Sequence, residues 1–103
     1  MTHSDLVRSI LLEISPLGLA WINNTGALRD RDDRPVRYGL PGSSDILACI
    51  HGRFVGIEAK VGKDRQRTNQ SDFATALRQA GGVYILARSV GDVLNTLQLE
   101  GLA

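Results

Sequence analysis

Two carboxylates and a lysine are spaced so that a β-hairpin would bring them together. Asp45 begins one strand-like apolar run, and Glu58 and Lys60 lie near the end of the next. The two residues between the runs, His51 and Gly52, predict a tight hairpin turn. With a turn of that length, Asp45 lies directly opposite Glu58 on one face, with Cβ atoms about 4.5–5.5 Å apart. Lys60 is two residues beyond Glu58 and therefore points to the same face.

Two carboxylates this close repel each other in the absence of a cation. Carboxylate oxygens suit Mg²⁺ or Mn²⁺, and the backbone carbonyl of Ala59 could face the same point while its side chain enters the core. A lysine beside such a cation could hold the attacking water or stabilise charge on a phosphate, which is the outline of metal-assisted phosphodiester hydrolysis. The alternative is a surface salt bridge of Lys60 with one acid at a frayed hairpin end. A three-residue turn would shift the register and undo the pairing.

Two further polar residues could join this site. Gln70 lies on the apolar stripe of a predicted helix, in its first turn, where an amide could orient a water or a phosphate; the alternative is a capping role. Glu13 borders the apolar stripe of the first helix and could be a third carboxylate; the alternative is an exposed helix acid. His3 is in a terminus predicted to fray, and His51 is about 17 Å along a strand from Asp45, so neither is assigned to the site.

An α/β fold would position these residues. Both faces of the hairpin strands are largely apolar, which is typical of the middle of a sheet covered by helices on both sides, and Cys49 is expected to pack in the core. Residues 23–34 are polar and rich in turn formers, and they are predicted to form a loop. The first helix is predicted from a cap at Ser4 to Ser15, and the last helix is capped by Ser89. The second helix is capped by Thr68 or Asn69 and has the apolar stripe Phe73, Ala76, Leu77 and Ala80. Strands are predicted at 18–22, 36–38, 45–50, 53–60 and 83–87.

Length and composition predict one domain spanning residues 1–103. Of these residues, 43% are hydrophobic and 22% are charged, which is typical of a globular chain. One cysteine excludes an intrachain disulfide and any metal site built on a cysteine cluster. No apolar run approaches the roughly 20 residues that span a bilayer, and no secretory signal opens the chain. These features predict a cytoplasmic protein.

The net charge of +1 is small, but the cations are clustered. Ten of the 12 cations are arginine, the side chain best suited to bidentate phosphate contacts. The alternative is that the two clusters are solvated loops. The first cluster comprises Arg29, Arg31, Arg34 and Arg37, and the second comprises Lys60, Lys63, Arg65 and Arg67.

The ordered set of motifs resembles the PD-(D/E)XK nuclease superfamily and, within it, the virus-type replication-repair nuclease (VRR-NUC) domain. The resemblance covers about residues 21–90. It rests on the run 39–45 that ends in Ser44-Asp45, on Glu58-Ala59-Lys60 after twelve intervening residues, and on a helix that begins near Gln70 and ends in Ala80-Gly81-Gly82. Ser44 stands where the superfamily name implies proline, a residue that many members lack.

The resemblance implies a PD-(D/E)XK restriction-endonuclease-like fold, a central mixed β-sheet flanked by helices, with Mg²⁺ or Mn²⁺ as cofactor. Asp45, Glu58 and the carbonyl of Ala59 would be metal ligands, and Lys60 would be the catalytic lysine. Gln70 would match the helix glutamine of the family, and Glu13 the acid that many members carry on the first helix.

Stand-alone members of this family in phages and bacteria form homodimers that cut branched DNA, Holliday junctions in particular. The resemblance therefore implies a junction resolvase in the cytoplasm of a bacterial or phage-infected cell. A two-fold dimer would present two sites that match the symmetry of a four-way junction, with Trp21 or the last helix as candidate contacts. Alternatives are a flap, nicking or exonuclease activity, or a DNA-binding module without catalysis. The expected phosphate-binding residues are Lys63, Arg65, Arg67 and Arg37.

Overall fold

A four-stranded mixed sheet with helices on both faces frames the protein in this computed structural model, which describes residues 1–103. The helices are α1 (His3–Ile14), α2 (Thr68–Gln79) and α3 (Val90–Leu99). The strands are β1 (Leu19–Ile22), β2 (Gly26–Arg29), β3 (Pro35–Tyr38), β4 (Ile46–Ile50), β5 (Arg53–Ala59) and β6 (Val83–Ala87). A short 3₁₀ turn, Ser15–Leu17, joins α1 to β1. The predicted α/β class is confirmed.

The sheet has the strand order β1-β4-β5-β6, and β2 and β3 form a separate two-stranded sheet. Neighbouring strands are antiparallel except for β5 and β6, which are parallel and connected through α2. None of the helices is long and apolar enough to cross a membrane.

The turn between β4 and β5 has the predicted length. Ile50 pairs with Arg53, and both intervening residues have positive φ angles, 49° at His51 and 79° at Gly52. Two successive positive φ angles are those of a type I′ turn, whose twist matches that of the flanking strands. The register therefore runs as predicted and places Asp45, just before β4, opposite Glu58.

Helices α1 and α3 cover one face of the sheet and form the main core with it. Four residues of α1 at helical spacing are buried there: Leu6, Val7, Ile10 and Ile14. The N-cap residue is Thr2, two residues before the predicted cap, because Thr2 and Asp5 form a capping box in which each side chain accepts from the other residue's backbone N–H. The predicted cap of α3 is confirmed, since Ser89 Oγ accepts from the Asp92 amide.

Helix α2 covers only the β5 and β6 half of the opposite face. Its buried residues are Ala74 and Leu77, and Phe73 packs edge-on against Tyr84 with ring centroids 6.4 Å apart. The predicted stripe is correct for Phe73 and Leu77. It is wrong for Ala76 and Ala80, which are exposed because α2 lies with the side that holds Ala74 against the sheet. The helix begins at Thr68, with Arg67 as its N-cap residue.

The β1 and β4 half of that face is not covered by a helix. Cross-strand pairing places Leu19, Cys49 and Phe54 in one row and Trp21 beside Leu47 in the next. Three of these side chains are large and exposed, with Trp21 at 41%. Cys49 is exposed as well, so its predicted place in the core is wrong. We call these five residues the open sheet face.

The polar segment 23–34 is not the uniform loop that its composition predicted. Its middle forms β2, which pairs with β3 from Gly26–Tyr38 to Arg29–Pro35. Every residue of both strands is exposed. The prediction failed because both faces of the β2–β3 ribbon are exposed. The sequence of β2 therefore lacks the alternation of apolar and polar residues that usually indicates a strand.

The Ser44 hydroxyl lies in an apolar part of the interior. The residue is 1% exposed, and its Oγ has no hydrogen-bond partner. It sits so close above Gly56 that a Cβ there would be 2.7 Å from Oγ. Neighbouring Ser43 differs, since its hydroxyl donates to Leu40 O at 2.7 Å and accepts from Asn23 Nδ2 at 2.7 Å.

We expect Ser44→Ala to raise the free energy of unfolding by about 1 kcal/mol, because the change removes a buried polar group without breaking a hydrogen bond. Urea unfolding measures the effect. Ser43→Ala is the matched control, and it should lower the free energy of unfolding by a similar amount. Destabilisation by both variants would contradict the prediction.

Candidate active site

Asp45 is held against the end of β5 by the backbone of Ala59. The Ala59 amide donates to Asp45 Oδ2 at 2.9 Å, beyond the last paired residues of β4 and β5, Ile46 and Ile57. On the other side, Asp45 O accepts from the Asn23 amide at 2.8 Å. The Asp45 carboxylate thus accepts a hydrogen bond from β5 at a position where β4 offers no backbone partner.

The Ala59 carbonyl lies on the same side of β5 as Asp45. Within a strand, the N–H and C=O of one residue point to the same edge, and the Ala59 N–H points at Asp45. The side chain of Ala59 is buried on the α1 and α3 face, as predicted. The Ala59 carbonyl therefore faces the edge of β5 at which the Asp45 carboxylate lies.

Glu58, Lys60 and Gln70 form a hydrogen-bonded triangle on the α2 face. Gln70 Nε2 donates to Glu58 Oε1 at 3.0 Å, and Lys60 Nζ donates to Gln70 Oε1 at 2.9 Å. Lys60 Nζ is also 3.7 Å from Glu58 Oε1. Gln70 Oε1 also accepts from the Arg67 amide at 2.9 Å, so Gln70 caps the start of α2 while it contacts Glu58 and Lys60.

Burial and charge together perturb Glu58. The residue is 3% exposed, and Lys60 is 7% exposed. Burial, followed by the nearby Asp45 charge, raises the pKa of Glu58 to about 7, although Lys60 opposes both. In the protein without a cation, Glu58 is therefore largely protonated between pH 4.5 and about 7, where an ordinary glutamate is ionised.

The donor set fits a hard divalent cation. The hydrogen bonds from Ala59 and Gln70 end on Asp45 Oδ2 and Glu58 Oε1, and the carboxyl groups of Asp45 and Glu58 lie close enough to share a proton when Glu58 is protonated. A cation between these carboxyl groups would offset the repulsion that raises the pKa of Glu58. No group of three or more His, Cys, Asp or Glu side chains converges as a metal site. Two carboxylates with water and substrate completing the shell is how Mg²⁺ is usually held.

Glu13 is not part of this arrangement, and its predicted role as third carboxylate is wrong. It is exposed near the end of α1, whereas the start of α1 lies against Asp45. Ten residues of helix separate His3 from Glu13, which is about 15 Å along the axis. The apolar stripe identified the buried face of α1 but not which end of the helix meets the site.

His3 lies beside Asp45, although the sequence predicts no role for it in the site. Its Nε2 lies 3.0 Å from Asp45 Oδ2 and can donate to it in the tautomer with hydrogen on Nε2. The predicted fraying of His3 is wrong because the capping box orders the first turn. The spacing of Thr2 and Asp5 was the signal that could have shown this.

The four predicted phosphate-binding cations make no side-chain hydrogen bond or ion pair within the chain. Other cations of the same clusters do: Arg29 pairs with Asp33, and Arg34 pairs with Asp30 and Asp32. Charge clustering alone could not separate these two groups. The structure leaves five of the clustered cations without a partner in the chain: the four predicted residues Lys63, Arg65, Arg67 and Arg37, and also Arg31.

The free cations lie on elements that lead to the site. The segment 61–67 is anchored by Arg88, which donates to Gly62 O at 3.0 Å and Asp64 O at 2.7 Å. Arg37 lines a groove of about 370 Å³ that also contains Asn69, the residue before Gln70. Cations from a loop and from the β2–β3 ribbon therefore both approach the first turn of α2.

Comparison with known proteins does not assign the chain to a family. No family model matches it, and no curated protein matches it. Function is therefore inferred from the site itself and from the resemblance of its motifs.

The raised pKa of Glu58 predicts that the metal-free protein loses stability as pH increases. Between the ordinary value of 4.5 and about 7, the native state binds more protons than the unfolded state. The free energy of unfolding should therefore fall as pH rises through that range, by at most about 3 kcal/mol from this group. Urea unfolding at pH 5 and pH 8 with EDTA measures the change.

Glu58→Gln is the control, because glutamine keeps the shape of the side chain but does not titrate. The variant should show a smaller loss of stability between the two pH values than the wild type. An equal loss in both proteins would show that Glu58 titrates normally.

Proposed function

We propose that the protein is a Mg²⁺- or Mn²⁺-dependent, structure-selective DNA endonuclease that hydrolyses phosphodiester bonds in branched DNA. The most specific form of the proposal is a Holliday junction resolvase that acts as a homodimer. The observation that carries it is the position of Asp45 opposite Glu58, beside Lys60 and Gln70, in a cluster where Glu58 and Lys60 are buried and Asp45 stays partly exposed.

The topology supports a PD-(D/E)XK assignment within the α/β class. The acids lie at the end of an antiparallel β4–β5 pair, and the following crossover through α2 leads to a parallel strand. Gln70 reaches the acids from the first turn of that crossover helix. Of the site residues that the VRR-NUC resemblance implies, Glu13 alone lies away from the cluster, and Ser44 replaces the proline of the superfamily name.

The protein's own residues would divide the work of the reaction among them. Asp45, Glu58 and the Ala59 carbonyl would hold the cation, which when bound polarises the phosphate and makes water more acidic. Gln70 holds Lys60 Nζ within 2.9 Å of its Oε1, so the ammonium points into the cluster. From there Lys60 can donate to a phosphate oxygen or orient the attacking water. Attack at phosphorus breaks the P–O bond to the leaving strand end, which then takes up a proton.

The free cations favour DNA as substrate. Phosphate contacts from Arg37, Lys63, Arg65 and Arg67 would position a backbone without reading bases. Such contacts suit an enzyme that selects the shape of its substrate rather than a sequence.

The open sheet face is our candidate for the homodimer contact. Leu19, Trp21 and Phe54 form an exposed apolar surface on one side of the sheet, and interfaces between subunits are enriched in large apolar and aromatic side chains. A two-fold contact there would set two sites at a fixed separation, as a four-way junction requires.

The decisive experiment is cleavage of a synthetic four-way junction beside a flap, a linear duplex and a single strand, with Mg²⁺ or Mn²⁺. We expect paired, symmetric nicks on the junction. Glu58→Gln should lower the rate by about 100-fold or more, because it removes a ligand from the site. Arg53→Ala, at the far end of the hairpin, should cleave like the wild type.

Other outcomes would redirect the proposal. Equal cutting of flap or linear DNA that still depends on Glu58 would keep the active site and exclude a junction resolvase. Tight junction binding without cutting of any substrate would favour a DNA-binding module without catalysis.

The dimer contact has its own test. Trp21→Glu should convert a dimer to a monomer in size-exclusion chromatography with light scattering, because it places a charge within the apolar surface. Leu99→Glu is the matched control on the last helix, where the side chain is 89% exposed. Dissociation by Leu99→Glu alone would move the contact to α3.

A further inference from the structure

A second groove reaches Asp45 from one edge of the sheet. The opposite edge is the one near residues 61–67, which we call the basic loop. The groove has a volume of about 280 Å³ and lies between the first turns of α1 and the chain after β1. The basic loop, by contrast, is anchored by Arg88 after β6, at the other edge of the sheet. The groove is lined by His3, Ser4, Val7, Arg8, Ile22, Asn23, Asn24 and Asp45.

Of the side chains in this groove, Arg8 carries the only permanent positive charge, and Asn24 adds an amide donor. Arg8 is the only lysine or arginine of α1, and its guanidinium makes no hydrogen bond or ion pair within the chain. The Asn24 amide likewise has no partner in the protein. Both are donors, and a guanidinium is the side chain best matched to a phosphate.

The floor of the groove is rigid where it meets the site. Asn23 Nδ2 donates to Ser43 Oγ at 2.7 Å and to Ser44 O at 3.0 Å, and the Asn23 amide donates to Asp45 O. On the other wall, His3 contacts Asp45 Oδ2 at 3.0 Å. A ligand in the groove would therefore lie at a fixed position relative to Asp45.

We propose that this groove is a phosphate-binding subsite for the DNA strand, adjacent to the phosphate that is cleaved, and that Arg8 is its principal contact. The assignment rests on the proposed nuclease function. A strand that passes Asp45 carries phosphates on both sides of the reacting one. The basic loop and Arg37 supply cations toward α2 and β6, and Arg8 supplies the cation toward β1.

The first test is equilibrium binding of a labelled four-way junction in EDTA, measured by fluorescence anisotropy at several salt concentrations. Arg8→Ala should weaken binding about 5- to 10-fold and reduce the salt slope by about one, the behaviour of a single phosphate contact. Arg53→Ala removes the same charge far from the groove and should weaken binding less than about two-fold. Arg8→Lys, which restores the charge, should recover part of the affinity.

The second test identifies the phosphate. Single methylphosphonate substitutions along the strand remove one charge at a time. If Arg8 contacts one phosphate, neutralising it should weaken binding of the wild type but have little further effect on Arg8→Ala. Additive losses at every position, or equal affinities of Arg8→Ala and Arg53→Ala, would overturn the subsite.

These measurements separate the subsite from the nuclease proposal because binding in EDTA does not require cleavage. Coupling between Arg8 and one phosphate in a protein that cuts nothing would support the subsite and refute the nuclease. Cleavage by the wild type with unaltered binding by Arg8→Ala would refute the subsite alone. A wild type that binds no DNA would refute both.

Discussion

The hydrogen bond from the Ala59 amide to Asp45 Oδ2 is the contact on which the candidate site depends. It exists because a two-residue turn sets the register of β4 and β5, and because the pairing of β4 begins only at Ile46, one residue after Asp45. An ionised acceptor makes this a strong hydrogen bond. It holds one carboxylate opposite another, an arrangement that the apolar strands around it do not require.

The cluster is costly to the fold, which is why we interpret it as functional. Glu58 and Lys60 are almost completely buried, and burying charged groups opposes folding even when they are paired. Burial is also the main reason why the pKa of Glu58 is raised. Apolar side chains at the same positions would continue the character of β5. Strongly perturbed acids that share a polar cluster are more common at functional sites than elsewhere.

The parts of the molecule that could be predicted from the sequence are those governed by local rules. Turn chemistry at His51 and Gly52 set the hairpin register, and this brought Asp45, Glu58 and Lys60 together. The errors concern packing between elements. Helical periodicity identified the buried stripe of α1 but not the end of the helix that meets the sheet, so Glu13 was chosen and His3 was missed. Cys49 is exposed and not in the core because α2 covers only half of its sheet face. No local sequence pattern indicates how far a helix extends across a sheet.

That partial cover explains how one sheet face can be both a buried site and an open surface. The row that contains Asp45 and Glu58 follows the row of Trp21, Leu47, Gly56 and Tyr84. Helix α2 lies over the β5 side, so Glu58 is buried, whereas the Asp45 side chain on the β4 side stays 26% exposed. The asymmetry leaves one carboxylate accessible while the other is desolvated. It also places the open sheet face one row from Asp45, so a subunit bound there would adjoin the path of the substrate.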